Sequence, residues 1–120
     1  MGILDSLGKL VLGMKDIEVS GNMNVGTLQK KFKEAFGTEI RVYKTLNTGK
    51  GSSLADSKNT LASIGNPDIK VSDISIKKSK TVGVIEDEFK EKMGIGIQIM
   101  TPDGKKFASN DMKLQDVAKL

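Results

Sequence analysis

The side chains of this sequence that could do chemistry are almost all lysines and carboxylates. The 120 residues include 19 basic and 15 acidic residues but no cysteine and no histidine. Disulfides, thiolate nucleophiles and imidazole bases are therefore excluded. Most covalent and general-base mechanisms are excluded as well, because they use these side chains. A carboxylate-dependent enzyme remains an alternative, but it needs acidic groups that converge in one pocket, and the spacing indicates none. We expect a protein that is not an enzyme, with no cofactor and no metal.

Two short charged runs are the first candidates for a binding site. Gln29, Lys30 and Lys31 lie in one predicted helix, and Glu86, Asp87 and Glu88 lie in another. The internal repeat described below makes these positions equivalent, so matching helix faces would carry opposite charges. Complementary patches steer association, and the pattern favours a protein partner or head-to-tail self-association. The alternative is that both runs are solvated helix faces.

A second candidate patch lies on the strand that follows the first helix. Side chains alternate along a strand, so Arg41 and Tyr43 are predicted to face away from the core. With Lys30, Lys33 and Lys44 they would form a basic, partly aromatic surface for single-stranded nucleic acid. Arg41 is the only arginine, however, and arginine is the preferred side chain for reading bases and clamping phosphates. Nucleic-acid binding is therefore the alternative function.

The loop at residues 45–53 is rich in glycine and hydroxyl groups. Its backbone amides could form an anion nest, to which Lys50 would add positive charge. The loop does not match the phosphate-binding motif that ends in Gly-Lys-Ser or Gly-Lys-Thr, because Gly51 follows Lys50. A mobile loop without a ligand is the alternative interpretation.

The elements that must position these residues form an internal repeat. Residues 17–44 align without a gap with residues 74–101, and the match resumes from residues 54–64 to residues 107–117. The shared positions are apolar where a core needs them, and we interpret the pattern as a duplication. The identical positions are Ile17/Ile74, Val25/Val82, Gly26/Gly83, Phe32/Phe89, Lys33/Lys90, Glu34/Glu91, Gly37/Gly94 and Ile40/Ile97.

Each repeat predicts the same order of elements: a strand, an amphipathic helix, a second strand, a short strand and a single helical turn. The long helices begin after Asn24 or Thr81, which suit a helix N-cap, and end before Gly37 or Gly94, which suit a C-terminal cap. The predicted buried face of these helices consists of Val25, Leu28, Phe32 and Phe36 in the first repeat, and of Val82, Ile85, Phe89 and Met93 in the second. The helical turns lie around Leu61 and Leu114.

This order of apolar positions resembles the ubiquitin-like β-grasp family. The resemblance is carried by Thr81-Val82, Ile85, Phe89, Gly94, Phe107-Ala108 and Leu114, and by the phrase from Leu54-Ala55-Asp56 to Thr60-Leu61. It implies a protein-binding module. It also implies a hairpin before each helix, with first strands at Lys9–Met14 and Ile69–Val71.

The predicted fold class is α+β, with two duplicated β-grasp-like (β)-β-α-β-β halves packed as one compact pseudo-symmetric unit. The halves are residues 17–66 and 67–120, preceded by an amphipathic segment at residues 1–16. One interpretation is that this segment binds a partner or a membrane surface. We expect the other, in which it packs on its own domain. No apolar run is long enough to span a bilayer and no secretory signal is visible, so we expect a cytoplasmic protein without a membrane partner.

The leading prediction is a non-enzymatic protein-binding or scaffolding module, able to self-associate through its oppositely charged helix faces. Its predicted binding residues are those introduced above: Lys30, Lys31, Arg41, Tyr43, Lys50, Glu86, Asp87 and Glu88.

Overall fold

The structure is a computed structural model that describes residues 14–48 and 51–120. This part of the chain contains four strands and four helices in an α+β arrangement. In chain order they are β1 (Ile17–Val19), α1 (Val25–Phe36), β2 (Ile40–Val42), α2 (Leu61–Ile64), β3 (Ile74–Ile76), α3 (Val82–Met93), β4 (Ile97–Ile99) and α4 (Leu114–Val117). The term first half is used below for residues 17–66 and second half for residues 67–120.

The strands form two small antiparallel sheets, and each sheet joins one strand from either half. β1 pairs with β3, with Glu18 opposite Ser75, and β2 pairs with β4, with Arg41 opposite Gln98. Single bridges extend the pairing at four further places. They are Asn24 with Thr60, Tyr43 with Leu54, Thr81 with Lys113, and Met100 with Phe107.

One hydrophobic core runs through both halves. α1 packs against β1 and β2, and α3 packs against β3 and β4. Phe32 and Phe89 lie at equivalent positions of these helices, and both are fully buried. Burying a phenylalanine contributes about 1.5–3 kcal/mol relative to leaving it exposed. The predicted helix faces are confirmed as buried, namely Val25, Leu28, Phe32 and Phe36 in α1 and Val82, Ile85, Phe89 and Met93 in α3.

The ends of the long helices lie where the sequence predicts them. Gly37 and Gly94 follow α1 and α3 in the left-handed conformation, with φ values of 71° and 67°. Glycine adopts this conformation without the steric cost of a Cβ. At the other end, the Thr81 side chain accepts a hydrogen bond from the N–H of Val84. Asn24 has the N-cap position and backbone, but its side chain makes no capping hydrogen bond.

A turn of each half lies against the helix and strand of the other half. In the turn at residues 101–104, the carbonyl of Pro102 accepts from Lys33 Nζ at 3.1 Å, and the carbonyl of Gly104 accepts from Arg41 Nη2 at 3.2 Å. In the loop of the first half, Thr48 Oγ1 accepts from Gln98 Nε2 at 3.1 Å. The two halves therefore hold each other through polar contacts as well as through the core.

The first strands required by the β-grasp resemblance are not among these elements. Ile69–Val71 forms no strand, and Lys9–Met14 lies outside the described residues except for Met14, which is buried. The prediction for the segment at residues 1–16 falls largely outside them as well. Within residues 14–48 and 51–120, no helix combines the length and the apolar character needed to cross a membrane.

Candidate protein-binding groove

A groove runs between α1 and β2, and we call it the first groove. It has a volume of about 340 Å³ and is lined by Gln29, Lys33, Glu39, Ile40 and Arg41. Gln29 and Lys33 are four residues apart and therefore lie on one flank of the helix. The turn at residues 101–104 lies beside this flank, because Lys33 donates to it. A volume of this size is at the lower end of the range of about 300–1,000 Å³ that ligand pockets occupy.

Arg41 places a positive charge in the first groove and forms no ion pair among the described residues. Its guanidinium is half-buried and donates to the backbone carbonyl of Gly104 at 3.2 Å. Among the described residues, the ion pairs are Lys33–Glu39, Lys80–Glu88, Lys92–Glu88 and Lys119–Asp116, and none involves Arg41. Arginine stays charged throughout the pH range of folded proteins. A group that is charged and partly desolvated in this way attracts an anion.

Lys33 is the second cation of the first groove. Its Nζ lies 3.9 Å from Glu39 Oε1, and both side chains are about half exposed. An exposed pair at this distance is worth about 0–1 kcal/mol, so Glu39 is easily displaced from it. Gln29, on the same helix flank, donates through Nε2 to the carbonyl of Ile40 at 3.3 Å. The groove thus combines two cations and one weakly held carboxylate, while the side chain of Ile40, only 3% exposed, belongs to the core.

The predicted basic run extends this surface along α1. Lys30 and Lys31 are exposed, and Lys30 lies one helical turn before Lys33. Lys44, just after β2, is exposed too. The predicted lysines of α1 are therefore exposed, with Lys30 next to the first groove and Lys31 on the opposite flank of the helix.

The predicted acidic face of α3 is not free in the same way. Glu88 forms ion pairs with Lys80 at 2.7 Å and with Lys92 at 3.5 Å, and only 15% of its side chain is exposed. Glu86 is half-buried and accepts a hydrogen bond from the N–H of Ile99. Only Asp87 is exposed. Both the predicted binding surface and its alternative, a solvated face, assume exposed carboxylates, and this is wrong for Glu86 and Glu88, whose carboxylates bind groups of their own half.

Glu86 lies in a second groove, between α3 and β4. Burial raises the pKa of Glu86 to about 7, and the nearby charge of Asp87 acts in the same direction, against the Ile99 hydrogen bond. This groove has a volume of about 100 Å³, because Leu46 and Thr48 of the first half line it and narrow it. It is smaller than ordinary ligand pockets. A raised pKa is common in catalytic acids, but here the hydrogen bond gives the carboxyl group a structural role.

The prediction for Tyr43 is wrong. Its side chain is only 3% exposed, while its backbone N–H donates to Gly96 and the residue bridges to Leu54. Alternation does place Tyr43 on the face opposite Val42, but that face is also covered at this end of the sheet. Met100, the equivalent residue of the second half, is 1% exposed. A buried tyrosine cannot serve as a stacking platform for bases.

The remaining predicted site residue, Lys50, lies outside the described residues together with Gly49. The anion nest at residues 45–53 therefore stays a prediction. Among the described residues, no three carboxylates are grouped so as to hold a metal ion.

Sequence reasoning did not single out Gln29 and Glu39 as part of a site. The signal that could have found Gln29 is its spacing of four residues from Lys33, on the edge of the apolar helix face. Glu39 gave no such signal, because its role depends on the folding of α1 back onto β2.

No family model matches the chain, and no curated protein and no solved structure matches it. We therefore infer the function from the residues of the first groove and from the surface of α1.

Proposed function

We propose that this protein is a non-enzymatic protein-binding module that recognises an acidic partner through α1 and the first groove. The observation that carries the proposal is the half-buried guanidinium of Arg41, which has no carboxylate partner among the described residues and faces an open groove. Lys30 adds exposed positive charge next to the flank of α1 that lines this groove, and Lys31 adds it on the opposite flank of the helix. Charge of one sign around a groove selects a partner of the opposite sign and raises its association rate.

A different protein is a better partner than a second copy of this chain. Head-to-tail association through the helix faces would require free carboxylates on α3. Glu86 and Glu88 are already bound to Ile99 and to Lys80, so the exposed carboxylates of α3 are Asp87 and Glu91. The exposed Lys90 and Lys92 of the same helix would repel the lysines of α1, and exposed ion pairs are worth about 0–1 kcal/mol each, too little to hold two copies together.

We further infer that the two halves descend from a duplication. The pairing registers support this, because Glu18 faces its own equivalent, Ser75, while Ile17 faces the equivalent of Val19 and Val19 faces the equivalent of Ile17, as a twofold symmetry between the halves requires. β2 and β4 pair with the same symmetry about Arg41 and Gln98. The bridges that follow β2 and β4 also lie at equivalent positions. The β-grasp resemblance stays a prediction. It implies a hairpin within each half, whereas the strand pairs of the structure join the two halves.

Charge reversal on α1 tests the proposed function. The full chain is immobilised and exposed to a lysate of its source organism, as the wild type and as Lys30→Glu/Lys31→Glu. The control is Lys70→Glu/Lys77→Glu, which reverses two exposed lysines of the second half. We expect the wild type and the control to retain the same proteins and the α1 variant to lose them, with unchanged thermal unfolding. If the α1 variant retains the same proteins, the proposal fails.

A further inference from the structure

We propose that the first groove takes an extended acidic segment of the partner, with one carboxylate bound to the Arg41 guanidinium. This proposal rests on the protein-binding function above and identifies its ligand. An extended segment suits the site because a volume of about 340 Å³ admits a few side chains and not a folded surface.

The second half shows how the charge of the first groove differs. In the second half, the helix supplies a carboxylate, Glu86, and the strand supplies a neutral amide, Gln98. At the equivalent positions of the first half, the helix supplies the neutral Gln29 and the strand supplies the cationic Arg41. The first groove therefore has two cations, Lys33 and Arg41, against the single carboxylate of Glu39. An acid from outside would neutralise the remaining positive charge.

The two cations of the first groove are already oriented for such a ligand. Backbone carbonyls of the turn at residues 101–104 hold Lys33 and Arg41, at 3.1 Å and 3.2 Å. Holding a long side chain in place before binding reduces the entropy lost on binding. The guanidinium carries five N–H donors, so the bond to Gly104 leaves others for a carboxylate.

The groove also indicates how the acidic residues of the segment are spaced. Its apolar surface is small, because Ile40 is only 3% exposed and the Gln29 amide covers its carbonyl. Glu39 repels a carboxylate at its own end, so the strongest acidic contact belongs at Arg41. A segment with an acidic residue at every second position fits these features, because alternate side chains of an extended chain point to opposite sides and its acidic side chains would all face the groove.

The test uses the full chain labelled with ¹⁵N and a peptide of seven residues, acetyl-Glu-Val-Glu-Val-Glu-Val-Glu-amide. The same peptide with lysine in place of glutamate and the oligonucleotide dT8 are run in parallel. We expect saturable shifts of the Gln29 side-chain amide and of the backbone of Glu39–Arg41 with the acidic peptide only. Arg41→Gln should weaken binding about tenfold or more, since a bidentate arginine–carboxylate contact is lost.

Arg41→Gln is suitable because the second half already has glutamine at this position. Lys33→Gln serves as a second variant, expected to weaken binding less, and Lys70→Gln as the control, expected to bind like the wild type. Shifts that fall outside the first groove, equal affinity of the Arg41 variant, or tighter binding of dT8 at the same residues would each overturn the proposal. If the acidic peptide does not bind while the capture of proteins from the lysate still depends on Lys30 and Lys31, only the proposed ligand of the first groove is rejected. If both fail, the protein-binding function falls as well.

Discussion

Glu86 on α3 accepts a hydrogen bond from the backbone N–H of Ile99 on β4, at 3.0 Å. The bond ties the second long helix to the outer edge of its strand. Burial also disfavours the charge on this carboxyl group and raises its pKa to about 7. The group that the sequence suggests as a binding residue is therefore a structural one, and its effect on stability depends on pH.

Glu86 makes the protein less stable as the pH rises. Its pKa is near 4.5 in the unfolded chain and about 7 in the folded one, so the folded state binds more protons between these values. The free energy of unfolding falls with rising pH wherever the folded state binds more protons. Glu86→Gln should therefore leave stability at pH 4 almost unchanged and raise it at pH 8. Since the group is partly exposed, solvent screening reduces the gain to about 1 kcal/mol.

Urea unfolding of the wild type and of Glu86→Gln at pH 4 and pH 8 measures this effect. Glu91→Gln is the matched control, because Glu91 is an exposed carboxylate of the same helix and does not contribute to the pKa shift of Glu86. A Glu86→Gln variant that is no more stable than the wild type at pH 8 would show that burial does not disfavour the charge.

The Lys80–Glu88 ion pair is the best shielded of those described. Its atoms are 2.7 Å apart, and Lys80 also donates to the carbonyl of Ser75 at 2.8 Å. Glu88→Gln should destabilise the fold by about 1–2 kcal/mol, because it leaves a partly buried ammonium without its counter-ion. The exposed pair Lys119–Asp116 provides the control, and Asp116→Asn should change the free energy of unfolding by less than about 0.5 kcal/mol.

The first half suggests a rescue of this ion pair. Its equivalent residues are Met23 and Lys31, and Met23 packs against the core. The double variant Lys80→Met/Glu88→Lys should therefore be more stable than Glu88→Lys alone, in thermal or urea unfolding. Simple addition of the two single effects would mean that these side chains do not interact.

Gly65 lies in close contact with the second half. A Cβ on this residue would lie 2.2 Å from the carbonyl oxygen of Met93, a backbone atom that cannot move aside without shifting the end of α3. Gly65→Ala should therefore destabilise the fold by about 1–3 kcal/mol, as overpacking does. Asp68→Ala, an exposed change in the same loop, should have little effect. Equal stability of the two variants in urea would show that the contact is looser than the structure has it.

Local patterns were sufficient to predict the helices. The spacing of Val25, Leu28 and Phe32 marks one face of α1, and Gly37 marks its end, so both are readable within a few residues. The partners of the strands were not readable. β1 and β3 have three residues each, and an alternating pattern that short does not specify which strand it pairs with.

The candidate site was predictable only in part for the same reason. Lys30 and Lys31 are exposed because they lie opposite the apolar face of α1, which follows from helix periodicity. The burial of Tyr43 and the hydrogen bond of Glu86 depend on residues far away in sequence. A strand or helix pattern shows which side a residue is on, but not what covers that side.

Photocrosslinking at two equivalent positions tests whether a different protein binds this chain through α1. Lys30 on α1 and Asp87 on α3 are both exposed and occupy matching places in the two halves. Each is replaced in turn by a benzoylphenylalanine residue in the full chain, and adducts are identified after irradiation in cells. We predict an adduct with a different protein from position 30 that is absent or much weaker from position 87. Equal adducts from both positions would show that α1 is not the preferred binding surface. Adducts between two copies of this chain alone would show that the partner is not a different protein.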